Sequence, residues 1–313
     1  MSRLVGAIAI CVTAASGVIA QTPVTGDVVW VQAIVRDADG KLSRSLNRSE
    51  FRVVASEEPR PVTVVSKDEL PMALSLMMDL SGSMALQQPK VRRSAELLMQ
   101  EFGRGDRVNV GAFQGLVMVT QRFTANRGRI LKSLEQPATG ADDRCEPPGP
   151  TASGIAPPQR STATGGTALW DAVWCGVNVL RRDREAIRRV LLVISDGLEN
   201  SSVTSEQAAI RFAQVSGVMV YTVGFRAGDP TTAGRRSDKR LRDLADKTGG
   251  RYFPVEEKSA LEPVFREIGD ELRAHYVLGF TPRSANSRGP LQVAVTAPGY
   301  TVRASQQYSA NGR

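Results

Sequence analysis

Residues 71–84 read PMALSLMMDLSGSM. The run 73–78 is apolar and uncharged and has the length of a fully buried strand. At Asp79 it stops in a turn rich in Gly and Ser. Residues 90–102 then place Val91, Leu97, Leu98 and Phe102 at helical spacing. A buried strand, a tight loop and a helix form the opening unit of a sheet whose strands are parallel and covered on both faces.

Downstream the alternation repeats. Residues 108–113 read as a strand paired in a hairpin with 117–123, and 127–134 as a helix. Helices at 168–180 and 205–216 precede strands at 189–194 and 218–223. A helix at 239–248, a short strand at 251–253 and a last helix at 259–275 complete the series. The expected fold is α/β: a doubly wound, mostly parallel, Rossmann-like sheet with helices on both faces. Short strands with charged turns lie ahead of it at 28–35, 51–54 and 61–65, and behind it at 276–281, 292–296 and 301–304. The two flanks are expected to pair into one small β-rich module. Residues 137–166 hold six prolines and no periodicity, which marks an inserted loop.

Composition bounds the function. The chain has 313 residues, 42% of them hydrophobic, enough for a real core, and a net charge of +8. A single histidine, His275, rules out a multi-histidine metal site and argues against a Ser-His-Asp enzyme. Aromatic residues at 5% supply few stacking platforms, and no nucleic-acid-binding motif occurs, so nucleic acid is not expected as a partner. Residues 1–20 read as a secretory signal peptide, with Arg3, a short apolar core and small residues before a cut after Ala20. No later run is long and apolar enough to span a bilayer. The expected organisation is signal peptide 1–20, β-rich segment 21–68, α/β domain 69–273 and β-rich segment 274–313, in a protein exported to the periplasm or beyond the cell. Export would leave Cys145 and Cys175, which most simply form one disulfide, two free thiols being the alternative.

Asp79-x-Ser81-x-Ser83 places three oxygen side chains at alternate positions of one loop. Alone it reads equally as a turn ending in a Ser cap. Gly165-Gly166-Thr167 precedes the helix at 168, and Ser195-Asp196-Gly197 ends the strand at 189–194. Each lies at the carboxyl edge of the expected sheet, where open α/β sheets bind ligands. Hydroxyl and carboxylate donors without Cys or His select Mg²⁺, Mn²⁺ or Ca²⁺ over zinc or copper.

Together, Asp79, Ser81, Ser83, Thr167 in GGTALWDA and Asp196 in VISDG resemble the metal-ion-dependent adhesion site of von Willebrand factor type A domains. The flanks, VWVQAIVRDADGK and HYVLGFTP, resemble those of the exported bacterial VWFA-related group. The resemblance implies that Ser81, Ser83 and Thr167 bind the ion through hydroxyls, while Asp79 and Asp196 act directly or through water. It also implies that a partner protein's Asp or Glu completes the coordination. The expected function is therefore adhesive and not enzymatic. A structural module with an unused metal site is the alternative, and a metal-dependent hydrolase a weaker one. Asp171 reads as an outer support of the site or as ordinary dipole compensation, and Trp170 and Trp174 as core. The Arg181-Arg182-Asp183-Arg184 and Arg235-Arg236 clusters read as a solvated face more than a steering patch, and His275 as structural.

Overall fold

The computed structural model describes residues 28–67, 70–135, 144–147, 166–225, 231–256 and 261–311. The expected signal peptide and most of the 137–166 insertion lie outside the described residues. The chain opens with β1 (Val29–Arg36), β2 (Phe51–Ala55), β3 (Glu58–Arg60) and β4 (Val62–Lys67). The α/β part follows with β5 (Met72–Asp79), α1 (Gln88–Gln100), β6 (Arg107–Phe113), β7 (Val117–Thr124), α2 (Arg127–Glu135) and β8 (Arg144–Cys145). It continues with α3 (Leu169–Arg182), β9 (Arg188–Ser195), α4 (Glu206–Val215), β10 (Met219–Gly224), α5 (Thr232–Thr248), β11 (Tyr252–Pro254) and α6 (Glu262–Arg273). Strands β12 (Tyr276–Phe280), β13 (Arg288–Val295), β14 (Thr301–Ala304) and β15 (Gln307–Ser309) end the chain.

Seven strands form the main sheet in the order β11-β10-β9-β5-β6-β7-β8. The first five are mutually parallel, and β7 and β8 run antiparallel to their neighbours. Every residue of β5 and β9 is buried, as an apolar run without alternation requires. The pleat divides β5 between two layers. Leu74, Leu76 and Met78 pack with α1, α2 and α6, whereas Ala73 and Met77 pack with α3, α4 and α5. Helix α3 lies very close to the sheet. A Cβ on its Gly176 would stand 2.5 Å from Leu191 Cδ1, so a larger residue would have to push that side chain aside.

The flanks do pair. Sheets β14-β1-β12-β4 and β15-β13-β2-β3 enclose one core that includes Val31, Val35, Phe51, Val53, Tyr276, Phe280 and Tyr308. The outward residues of β1 face the α/β domain: Gln32 Nε2 donates to the carbonyls of Arg189 (2.8 Å) and Gly217 (3.1 Å), and Ile34 joins the α1–α6 layer. Between the two modules lies the fully buried carboxylate of Glu271, from α6. It takes ion pairs from Arg36 (2.7 Å), Arg251 (3.2 Å) and Arg303. Burial alone would raise its pKa, but the guanidiniums, Arg303 foremost, outweigh burial and hold it below the ordinary carboxylate range.

The structure departs from the sequence reading mainly at short or cap-dependent elements. Helix α5 begins at Thr232, not at 239, because the Thr231 hydroxyl caps the amide of Gly234 (3.0 Å), where Gly and paired arginines blur the helical period. Strands β3, β8 and β15, of two or three residues, have no readable alternation and arise from pairing with longer partners.

Cys145 and Cys175 are disulfide-bonded, with Cα atoms 6.0 Å apart, joining β8 at the sheet edge to α3. Non-reducing digestion and mass spectrometry should recover the linked peptide. Cys145→Ser should lower unfolding free energy by about 3–4 kcal/mol in urea titration, from loop-closure entropy alone. A variant as stable as the parent would remove the bond from the stability account.

His275 is fully buried, with Nε2 3.1 Å from the Tyr221 hydroxyl. Burial, helped by Arg188 and Arg303, pushes its pKa well below the ordinary 6.5. The unfolded chain therefore binds a proton that the fold refuses. The stability it contributes is complete above pH 6.5 and is lost as pH falls from there toward the folded-state value. His275→Gln should lose about 2 kcal/mol less than the parent between roughly pH 7 and pH 5. Parallel stability curves would show that His275 takes up its proton equally in both states.

Candidate metal centre

The topology brings the five candidate residues to one sheet edge. Asp79 is the last residue of β5 and Asp196 follows the last residue of β9. These strands are adjacent and parallel, with Met78 beside Ile194, so both carboxylates leave the sheet on the same side. Strand order turns at β5, which has β9 on one side and β6 on the other. Thr167 lies two residues ahead of α3, and the following amide, Ala168 N, donates to Gln114 O in the β6–β7 turn at 2.6 Å.

The loop after β5 is shaped by its own first acid. Asp79 Oδ1 accepts from Ser81 N at 2.8 Å, and a 3₁₀ turn follows at Gly82–Met84. The Ser81 and Ser83 hydroxyls then lie 3.1 Å apart. Asp79 Oδ2 accepts from Ser195 Oγ at 2.6 Å. Ser81, Thr167, Asp79 and Asp196 are all buried, while Ser83 is exposed and gives the cluster its opening.

Electrostatically the cluster is one of oxygens short of positive charge. Burial pushes the Asp79 pKa up to about 6; hydrogen bonds from Ser195 and Ser81 oppose the rise and the neighbouring Asp196 carboxylate adds to it. Asp196 Oδ1 accepts from Leu198 N at 3.1 Å, but its buried Oδ2 has no hydrogen-bond partner. A buried carboxylate oxygen without a donor is costly, and a cation removes that cost. Two carboxylates and three hydroxyls suit a hard divalent ion. Among the described residues no three His, Cys, Asp or Glu side chains cluster, so an ion here would depend on the hydroxyls as well as the acids.

The segment after Asp196 forms a bracket that the sequence reading missed. Asn200 Oδ1 accepts from Thr167 N at 2.8 Å, and Asn200 N donates to Thr167 O at 3.1 Å. Ser202 Oγ accepts from the amides of Trp170 (3.0 Å) and Asp171 (3.1 Å), at the start of α3. Asp171, with its carboxylate receiving Thr204 N (2.9 Å) and Val203 N (3.2 Å), holds this loop and does not reach the oxygen cluster by these bonds. Gly166 has a φ of +115°, and a Cβ there would come within 2.2 Å of Ser201 Oγ, so the bracket closes only on glycine. The signal was present in the polar run ENSSVTS at 199–205, which has no spacing rule of its own.

The remaining candidates fall where the residues suggested. Trp170 is buried in the core, Trp174 stacks on Phe212 with centroids 5.5 Å apart, and His275 lies wholly inside. Cys145 pairs with Val117, which pairs with Phe113, which pairs with Asp79. The disulfide therefore stands level with the oxygen cluster, three strands away.

Residues 158–267 match the family model of the von Willebrand factor type A domain. No curated protein matches the sequence. Similar solved structures include an aerotolerance-related membrane protein from Bacteroides fragilis, at 18% identity over 64% of this chain and 98% of that one, TM-score 0.48. The von Willebrand domain of the type V pili tip protein Mfa5 from Porphyromonas gingivalis is similar at 12% identity over 65% and 95%, TM-score 0.47. A von Willebrand factor type A protein from Catenulispora acidiphila is similar at 11% identity over 93% and 76%, TM-score 0.49. The family match takes in Thr167 and Asp196, and the register of β5 on β9 joins Asp79, Ser81 and Ser83 to them. The chain carries a von Willebrand factor type A domain.

Proposed function

We propose that this domain is an exported, Mg²⁺-dependent protein-binding module. Asp79, Ser81, Ser83, Thr167 and Asp196 hold the ion, with Mn²⁺ or Ca²⁺ as substitutes, and an Asp or Glu of a partner protein completes its coordination. The observation that carries this reading is the unpartnered, buried Asp196 Oδ2 beside the raised Asp79 carboxylate. Hydroxyl ligands leave a divalent ion under-neutralised, so an incoming carboxylate is favoured, and the exposed Ser83 marks its side of entry. The reading is of a binding module; the one histidine, His275, lies buried against Tyr221 and is not offered as a base. A structural module with an idle ion is the second reading.

Isothermal titration with Mg²⁺ should give a heat that Asp79→Ala abolishes. Asn200→Ala, which releases the backbone of Thr167, should weaken the ion by about 10–100-fold, as loss of an outer support does. Circular dichroism checks that both variants stay folded. Equal heats from all three proteins would place the ion elsewhere. Capture of a partner from envelope fractions that is indifferent to EDTA would favour the structural reading.

A further inference from the structure

The loop that follows β5 turns with a period of three. Met84 N donates to Ser81 O at 2.9 Å, Ala85 N to Gly82 O at 3.3 Å and Gln87 N to Met84 O at 2.9 Å. Burial follows the same period. Ser81, Met84 and Gln87 are buried, whereas Gly82, Ser83, Ala85 and Leu86 are exposed. Residues three apart in such turns stand one above the other, so Ser83 and Leu86 share one outward face, about 6 Å apart. Leu86 is 79% exposed, and among the described residues it is the one exposed large hydrophobic side chain. An isolated surface leucine means little by itself. This one lies one turn beyond the hydroxyl that opens the oxygen cluster. The loops around that opening also lack cations. Residues 80–87, 114–116, 166–168 and 196–205, which follow β5, β6 and β9 and lead into α3, hold Asp196 and Glu199 but no Lys or Arg, although the chain has 40.

We propose that Leu86 selects the partner: the site takes an extended protein segment that carries a large apolar side chain two residues from its acid. Resting on the carboxylate reading above, this adds a second anchor beside the ion. In an extended chain, residues i and i+2 point the same way, about 6.6 Å apart. That spacing matches the step from Ser83 to Leu86, so the acid and the apolar side chain land together. An apolar neighbour directly next to the acid points away from the loop and gains nothing. Covering Leu86 takes apolar area out of water on both partners, and partial burial of one such side chain is worth about tenfold in affinity. A second acid on the segment finds no cation in these loops to pair with. A polyacidic stretch therefore has no advantage here over a single acid near a leucine.

Two peptides of one composition, acetylated and amidated so that Asp is their only acid, serve as probes. Leu-Ser-Asp-Ser-Leu sets its leucines two residues from the acid, and Ser-Leu-Asp-Leu-Ser sets them next to it. Isothermal titration in saturating Mg²⁺ should show the first binding about tenfold more tightly. Leu86→Ser should weaken the first by about tenfold and leave the second unchanged, with the Mg²⁺ heat intact. Equal affinity of the parent for both peptides, or a parallel loss of both in the variant, would overturn the role of Leu86 and leave the carboxylate reading standing. Binding that persists in EDTA, or with Asn in place of Asp, would overturn the carboxylate reading and with it the pairing of the two anchors. Binding of neither peptide, with the Mg²⁺ heat present, would overturn both. A lower urea midpoint in Leu86→Ser would show its side chain packed within the chain itself, and would overturn its role as a contact.

Discussion

The site depends on two strands ending side by side. Because β5 and β9 are parallel and adjacent, Asp79 and Asp196 leave the sheet together, and neither carboxylate can move away without unpairing a fully buried strand. The neighbouring Asp196 charge raises the cost of ionising Asp79, which adds to the effect of its burial. The serine hydroxyls around them are oriented by those same carboxylates: Ser195 donates to Asp79, and the Ser81 amide folds back onto it. The cluster is thus held in place by the sheet.

A second buried carboxylate has the opposite environment. Glu271 meets three arginines drawn from β1, β14 and the turn before β11. With Glu267, which also pairs with Arg36, it ties the β module to the α/β domain, whereas Asp79 and Asp196 face a deficit of positive charge. The same carboxylate group is thus stabilising in one place and receptive in the other, and the neighbouring cations decide which. Helix α6, which carries Glu271, also packs on α1, the helix that follows the Asp79 loop.

What the sequence discloses is what local signals encode. The uncharged run 73–78 reads as a buried strand and is one, and of the oxygen residues at alternate positions after it the Ser81 and Ser83 hydroxyls lie within hydrogen-bond distance. The β module was legible because strand texture stood on either side of an α/β core. Three things were not. The early start of α5 rests on a threonine cap ahead of a stretch rich in arginine. Asn200 and Ser202 act by reaching back more than thirty residues to amides of Thr167 and Trp170, a relation no window of sequence contains. Arg107, Arg122, Arg144, Arg182 and Arg184 line one groove from distant positions, a gathering that no window of sequence contains.

The β module also fixes the order in which the chain can be finished. Val29 pairs with Phe280 and Phe51 with Val295, so β1 and β2 find these partners only after more than two hundred further residues have been made. The α/β domain is, topologically, an insertion between the two halves of the sandwich. Such long loops make closure slow compared with the formation of local contacts. β1 and β2 therefore cannot lock while the α/β domain is still being synthesised, and the module seals only after β12, β13 and β14 have followed it.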